Sequence, residues 1–283
     1  MIYKVAGISR QAYHKWKKQM APKAEEKKRI VEKVKKVREQ HAKMGSRPLY
    51  YACEIKKEIG IGITKFENMM SELGLSLRNK RKRIITTRSV KHQYPNLIKG
   101  NVITDINKVV VGDITYYNTG DALYYIFTLK DMYSKRIMGL YGSRHMYAEC
   151  AIEALKQLLD VREENELKEM THHTDGGSQY LSNAYKSILE RYQIQISVAQ
   201  NCLENGGAEQ LNGVIKNDYL YNYEIRNEKQ LNEVLQEVKK LLNEERPVKA
   251  LGYRTPVEFE EYIKNIAKED RPKVKLSDFN KQN

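Results

Sequence analysis

Asp113, Asp175 and Glu209 are the side chains on which chemistry in this chain would turn. Asp113 stands in "VVVGDITYY", where a charge among apolar neighbours is costly unless it has a task. Asp175 lies 62 residues later in "HHTDGGSQY", just past a short apolar lead-in, and Glu209 lies another 34 on. Asp-Gly-Gly is also ordinary turn chemistry, with Gly176 and Gly177 letting the backbone bend, so the spelling alone leaves that reading open. If the strands carrying the two aspartates are neighbours, they converge, and Glu209 reaches in from a helix. Three converging carboxylates repel unless cations sit between them. Hard oxygen ligands suit Mg²⁺ or Mn²⁺, and two such ions about 4 Å apart serve phosphodiester displacement. His173 can hydrogen-bond near a reacting phosphate or simply hold its loop.

The elements that would position these groups follow from periodicity. From about residue 105, "KVVVGDITYY", "LYYIFTLKDMYS" and "KRIMGLYGSR" read as three strands separated by short turns. An amphipathic helix "YAECAIEALKQLLDVREE" follows, then a strand around "EMTHHT" and a helix "NAYKSILERY" capped by Ser182. A strand "IQISV" precedes a helix through "AEQLNGVIKNDYL". Strands that meander and then alternate with helices predict one mixed sheet flanked by helices. On the last helix Asn205, Glu209, Asn212 and Lys216 are expected to form one polar stripe, turned toward bound DNA or merely solvated. Glu204 also follows the final strand, but Gly206 and Gly207 make a stable helix there unlikely, so Glu209 is the expected ligand.

Ahead of this region the chain reads as helical. Residues 22–43 place Ile30, Val31, Val34 and Val37 on one stripe, and a second helix is expected to end near Gly60. A third, with Thr64 as its cap, carries Phe66, Met69, Met70 and Leu73 at core spacing. Joined by the "GIG" turn, the last two resemble a helix-turn-helix unit.

The 283 residues carry a formal net charge of +14, which points to a polyanionic partner. Residues 76–91 hold seven basic and no acidic residues. Arg78, Lys80, Arg81, Lys82 and Arg83 are therefore candidate phosphate contacts. Three scattered cysteines exclude a zinc ribbon and a disulfide framework. With neither a membrane-length apolar run nor a signal peptide, a cytosolic protein is expected.

"DITY", "HTDGGSQYLSNAY" and "ENGGAEQLNGVIKNDYL" together resemble the three signature blocks of integrase-type insertion-sequence transposases. More narrowly, they resemble the second-reading-frame product of the IS-three-type elements. "GISRQAYHKW" is similar to its start, "TTRSVKHQYPNLIKG" to its linker, and "NEERPVKALGYRTPVEF" to its C-terminal segment. Val111 stands where the family commonly has Trp. The resemblance implies an α/β, ribonuclease-H-like catalytic core with Asp113, Asp175 and Glu209 as its metal-binding triad. The expected organisation is a helix-turn-helix-like DNA-binding region over 1–75, a basic linker over 76–104, the core over 105–222 and a helical C-terminal segment over 223–283. It further implies metal-dependent 3′-end cleavage and strand transfer on double-stranded DNA, both element ends and target. The implied partners are an upstream-frame product, fused or separate, and further copies of the chain on DNA, in a bacterial cytoplasm and nucleoid. A second reading keeps the DNA-binding parts and leaves the core impaired, making the chain a regulator.

Overall fold

The computed structural model describes residues 9–77, 94–200 and 206–276. The chain divides into two compact units, Met1–Lys80 and Arg81–Asn283.

In the first unit Ser9 caps helix α1 (Arg10–Gln40) by accepting the Ala12 amide at 3.1 Å. The helix starts well before the expected 22–43 stretch and continues through Pro22. Ile30 and Val34 are fully buried, whereas Val31 and Val37 are half-buried. The helix expected to end near Gly60 is broken into α2 (Ser46–Ala52) and α3 (Ile55–Glu58), because Glu54 adopts left-handed backbone with φ 47°. Gly60, at φ 80°, closes α3 with its amide donating to the Ile55 and Lys56 carbonyls. Helix α4 (Ile63–Glu72) is capped at Gly62 rather than Thr64. Its Phe66, Met69 and Met70 pack with Ile30, Val34, Leu49 and Ile55 in one core.

The second unit is built on β2 (Val109–Asn118), β3 (Leu123–Asp131) and β4 (Ile137–Ser143), a short strand β1 (Val102–Ile103) having come before. β2, β3 and β4 form an antiparallel meander. Helices α5 (Ala148–Asp160) and α6 (Glu164–Leu167) lead to β5 (Thr171–Thr174), which pairs parallel to the start of β2. Helix α7 (Asn183–Arg191), capped by Ser182, leads to β6 (Gln195–Val198), parallel to β5. The sheet order is β4-β3-β2-β5-β6. Helix α8 (Gly206–Val214) runs on into a π turn, Ile215–Tyr219, and is followed by α9 (Glu228–Lys240) and α10 (Pro256–Lys264). Strand β7 (Val274–Lys275) returns to pair antiparallel with β1.

Alternation along β3 divides the core in two. Tyr124 and Ile126 point to a layer with Leu211 and Ile215 of the α8 segment and Leu231, Leu235 and Val238 of α9. Phe127 and Leu129 point to the opposite layer with Leu155 and Leu158 of α5 and Tyr185 and Leu189 of α7. Helices approach both faces closely at glycines of β4. A Cβ at Gly139 would lie 2.1 Å from the Ala154 carbonyl oxygen, and one at Gly142 would lie 2.5 Å from Leu231.

The helices of the stretch expected as a helical C-terminal segment, 223–283, pack onto the sheet as far as the chain is described. α9 covers one sheet face, and Phe259 and Ile263 of α10 pack with Val109 and Val111 of β2.

Candidate active site

Asp113 sits in the middle of β2, opposite Thr128 of β3. β5 pairs with β2 only over Val109–Val111, so the strand beyond is flanked on one side alone. There Asp113, Thr115 and Tyr117 alternate onto the face that α8 and its π turn cover. The Asn212 amide nitrogen donates to Asp113 Oδ2 at 2.6 Å, Lys216 Nζ donates to Thr115 Oγ1 at 2.8 Å, and the Tyr117 hydroxyl donates to the Leu220 carbonyl at 3.1 Å. Two residues of strand advance about 6.6 Å and four residues of helix about 6 Å, so the two repeats stay in step over three rungs.

Asp175 follows β5 and is exposed. Its Oδ1 accepts the Gly177 amide at 3.0 Å, closing a turn in which Gly176 takes φ 78°. The two histidines ahead of it are interior. His172 donates or accepts through Nδ1 toward the Val110 carbonyl at 3.2 Å and meets the Tyr185 hydroxyl through Nε2 at 2.9 Å. A carbonyl only accepts, so Nδ1 carries the proton. Burial pushes the His172 pKa down to about 4, which keeps the ring neutral. His173 is fully buried and bonded through Nδ1 to Ser197 Oγ at 2.8 Å. It holds β5 to β6, which decides between the two roles open to it from sequence.

Glu209 is exposed on the first turn of α8, which begins at Gly206 and so includes both glycines. Its charge reaches Asp113. The Asp113 carboxyl is pushed up to about 7, first by burial, then by the negative charges of Asp175 and Glu209, against hydrogen bonds from the Ile114 amide and Asn212. Asp113, Asp175 and Glu209 are thus electrostatic neighbours. Among the described residues no three His, Cys, Asp or Glu side chains stand as a group able to hold a metal ion as placed. The triad is a neighbourhood of like charges rather than a closed cage. As a donor set of oxygens alone, with one carboxylate half-buried and two facing solvent, it suits a hard divalent cation.

Of the polar stripe expected along α8, Glu209 is exposed, whereas Asn212 and Lys216 turn toward β2. Asn212 is 3% exposed and turned to Asp113, not to solvent. Lys216 is half-buried, also donates to the Tyr116 carbonyl at 3.2 Å and lies 5.4 Å from the Tyr116 ring centre. The physical reason is the open polar stretch of β2, whose side chains find partners on α8 and its π turn. Asn205, Glu204, Arg78, Lys80, Arg81, Lys82 and Arg83 lie outside the described residues. Asn212 as the support of Asp113 was missed in the sequence. Its only signal there was its place one helical turn after Glu209.

The antiparallel meander, the two parallel strands and the acid on the central strand define a ribonuclease-H-like integrase core. Residues 104–201 match the family described as Integrase core domain, and residues 190–256 match a second family of the same description. The chain is 28% identical over 276 residues to the insertion element IS600 uncharacterized 31 kDa protein of Shigella sonnei, covering 93% of this chain and 98% of that one. It is 30% identical over 175 residues to the transposase for insertion sequence element IS904 of Lactococcus lactis, covering 59% of this chain and 67% of that protein. Among solved structures, the HTLV-2 integrase catalytic core domain in complex with magnesium is similar at 20% identity and a TM-score of 0.44, over 58% of this chain and 99% of that one. The chain belongs to the integrase-type insertion-sequence transposases. Its activity is that of a DNA transposase, a polynucleotidyl transferase.

Proposed function

We propose that this transposase performs metal-dependent 3′-end cleavage and strand transfer at the ends of its insertion sequence, with Asp113, Asp175 and Glu209 as the metal ligands. The observation that carries this reading is the half-buried Asp113 carboxyl on the central strand, raised to about 7 by desolvation and by two neighbouring carboxylates. Such an arrangement is costly for a fold and is relieved by a divalent cation. When bound, Mg²⁺ or Mn²⁺, most simply as two ions, supplies Lewis acidity and charge neutralisation for phosphodiester displacement. The chain's own residues do the positioning. Asn212 holds one Asp113 oxygen, and the Gly177 amide holds Oδ1 of Asp175. Glu209 rides on a helix anchored by Leu211 and Ile215.

The same reading takes double-stranded DNA, element ends and target, as substrate. It takes an upstream-frame product and further copies of the chain as partners, and the bacterial nucleoid as workplace. Residues 1–75, 76–104, 105–222 and 223–283 are its proposed functional divisions. No helix of the described residues is long and apolar enough to cross a membrane.

The test is cleavage and joining of an element-end duplex in Mg²⁺. Asp113→Asn, Asp175→Asn and Glu209→Gln are each expected to abolish both products while DNA binding persists, and Glu204→Gln to leave measurable activity. Normal cleavage by either aspartate variant would overturn the assignment. Activity lost in Glu204→Gln and kept in Glu209→Gln would move the third ligand to Glu204.

A further inference from the structure

The motif "ALGYRTPVEF" takes no part in the carboxylate site, yet its backbone is unusual. Gly252 and Tyr253 both lie in left-handed space, at φ 65° and 62°. For a tyrosine that conformation is unfavourable and persists only where surrounding bonds impose it. Here the bonds are visible. The Tyr253 amide donates to the Val248 carbonyl, and the Val248 amide donates to the Arg254 carbonyl at 3.0 Å. The result is to aim Arg254 at α10, where its guanidinium lies 4.0 Å from the centre of the Tyr262 ring. A Cβ at residue 252 would sit 3.2 Å from Arg254 Nη1, so glycine leaves that side chain its path.

Beside this stack lies a cavity of about 450 Å³. Its walls carry the Tyr133, Phe259 and Tyr262 rings and the cations Lys135, Arg254 and Lys273, and no carboxylate. The rings form a chain, with Tyr133 and Phe259 centres 5.5 Å apart and Phe259 and Tyr262 centres 6.3 Å apart. The Tyr133 hydroxyl is buried without a hydrogen-bond partner, which is unusual for a phenol held inside a protein. Lys135 also stands on left-handed backbone, at φ 62°, and its Nζ caps the Met132 carbonyl at 2.5 Å. The exposed Tyr262 ring, backed by the buried Phe259 and Tyr133 and flanked by three cations, matches a nucleotide, which offers a flat base and flanking phosphates.

The cavity is tied to the catalytic strand. The Met132 amide donates to the Val109 carbonyl, and Asp113 stands four residues farther along β2, about 13 Å at strand rise. That span is a few nucleotides of a DNA strand.

We propose that this cavity is a second DNA-contact site of the transposase, holding one nucleotide of the strand that passes the carboxylates. The base stacks in the Arg254–Tyr262 corner, and Lys135 and Lys273 hold the adjacent phosphates. The proposal rests on the reading that the chain acts on DNA.

The test uses the full chain and a single-stranded oligonucleotide carrying 5-iodouracil at successive positions. On irradiation, unaltered protein is expected to yield a cross-linked peptide containing Tyr262. Tyr262→Ala and Arg254→Ala are each expected to weaken oligonucleotide binding about tenfold, with thermal stability retained because Tyr262 is 40% exposed. Arg254→Lys is expected to recover only part of the loss, since it restores charge without the planar stack. Cross-links confined to other segments, with unchanged affinity in both alanine variants and cleavage intact, would overturn the cavity and leave the DNA reading standing. Failure of the unaltered chain to bind or cut any DNA would overturn both.

Discussion

Asn212 shows what a single buried amide does for a neighbouring acid. It is bonded at 2.6 Å to Asp113 and shut off from solvent, so it selects the orientation of that carboxylate without meeting substrate. Removing such a supporting partner typically lowers metal affinity or activity about 10–100-fold. Asn212→Ala is expected to shift the Mg²⁺ dependence of cleavage to higher concentration, with DNA affinity unchanged. An unchanged Mg²⁺ titration would show that Asp113 needs no such support. His172 makes the complementary case in acid. Its native pKa of about 4 lies below the ordinary value of 6.5, so only the unfolded chain takes up a proton between those limits. Stability from this group is fully present above pH 6.5 and falls with acidification toward pH 4, by up to about 1.4 kcal/mol per unit. Urea unfolding at pH 7.5, 6 and 5 measures the slope, which is expected to flatten in His172→Asn. Equal slopes would place the acid sensitivity elsewhere.

Among the elements, the β2–α8 pairing carries the site and the β4–α5 contact carries the sheet. Gly139 has no room for a methyl group, since a Cβ there would lie 2.1 Å from the backbone oxygen of Ala154. Gly139→Ala must push α5 off β4 and is expected to destabilise the unit by about 1–3 kcal/mol. Gly213, in α8, makes the control. A Cβ there finds only the Asn217 amide nitrogen at 4.0 Å, and alanine favours helix by up to about 1 kcal/mol. Gly213→Ala is therefore expected to raise the urea midpoint that Gly139→Ala lowers. A neutral Gly139→Ala would mean that the helix sits farther from the strand.

At the scale of the whole molecule, a net charge of +14 must meet a polyanion somewhere, and residues 76–91 concentrate seven of its cations. Charge-neutral replacement of Arg78, Lys80, Arg81, Lys82 and Arg83 is expected to weaken binding to all duplexes alike and to flatten the dependence of affinity on salt. A loss confined to element-end DNA would make the run a reader of sequence instead. The large unit is held by a different use of charge. Glu260 of α10, 3% exposed, accepts from Arg162 at 2.5 Å, Arg136 at 2.6 Å and the Ser134 hydroxyl at 2.9 Å. This ties the C-terminal helix to the β3–β4 turn and to the end of α5.

The strands, their order of appearance and the acids Asp113 and Asp175 within and just past them were legible in the sequence, because alternation and turn residues are local properties. Asp113 stood out for the same reason, as a charge set in an apolar run. The partners of those acids were not legible. Glu209, Asn212 and Lys216 share one side of a helix by spacing, but spacing does not say what that side faces. Only the tertiary structure shows that β5 leaves β2 after Val111, that α8 supplies Asn212 to Asp113, and that its π turn supplies Lys216 to Thr115. The broken helix at Glu54 and the π turn after Val214 were equally hidden, since both follow from packing that overrides local preference. Composition announced a basic chain. Whether a given cation meets solvent, a tyrosine ring or a buried glutamate depends on which distant segments arrive beside it, and that is settled only when the core closes.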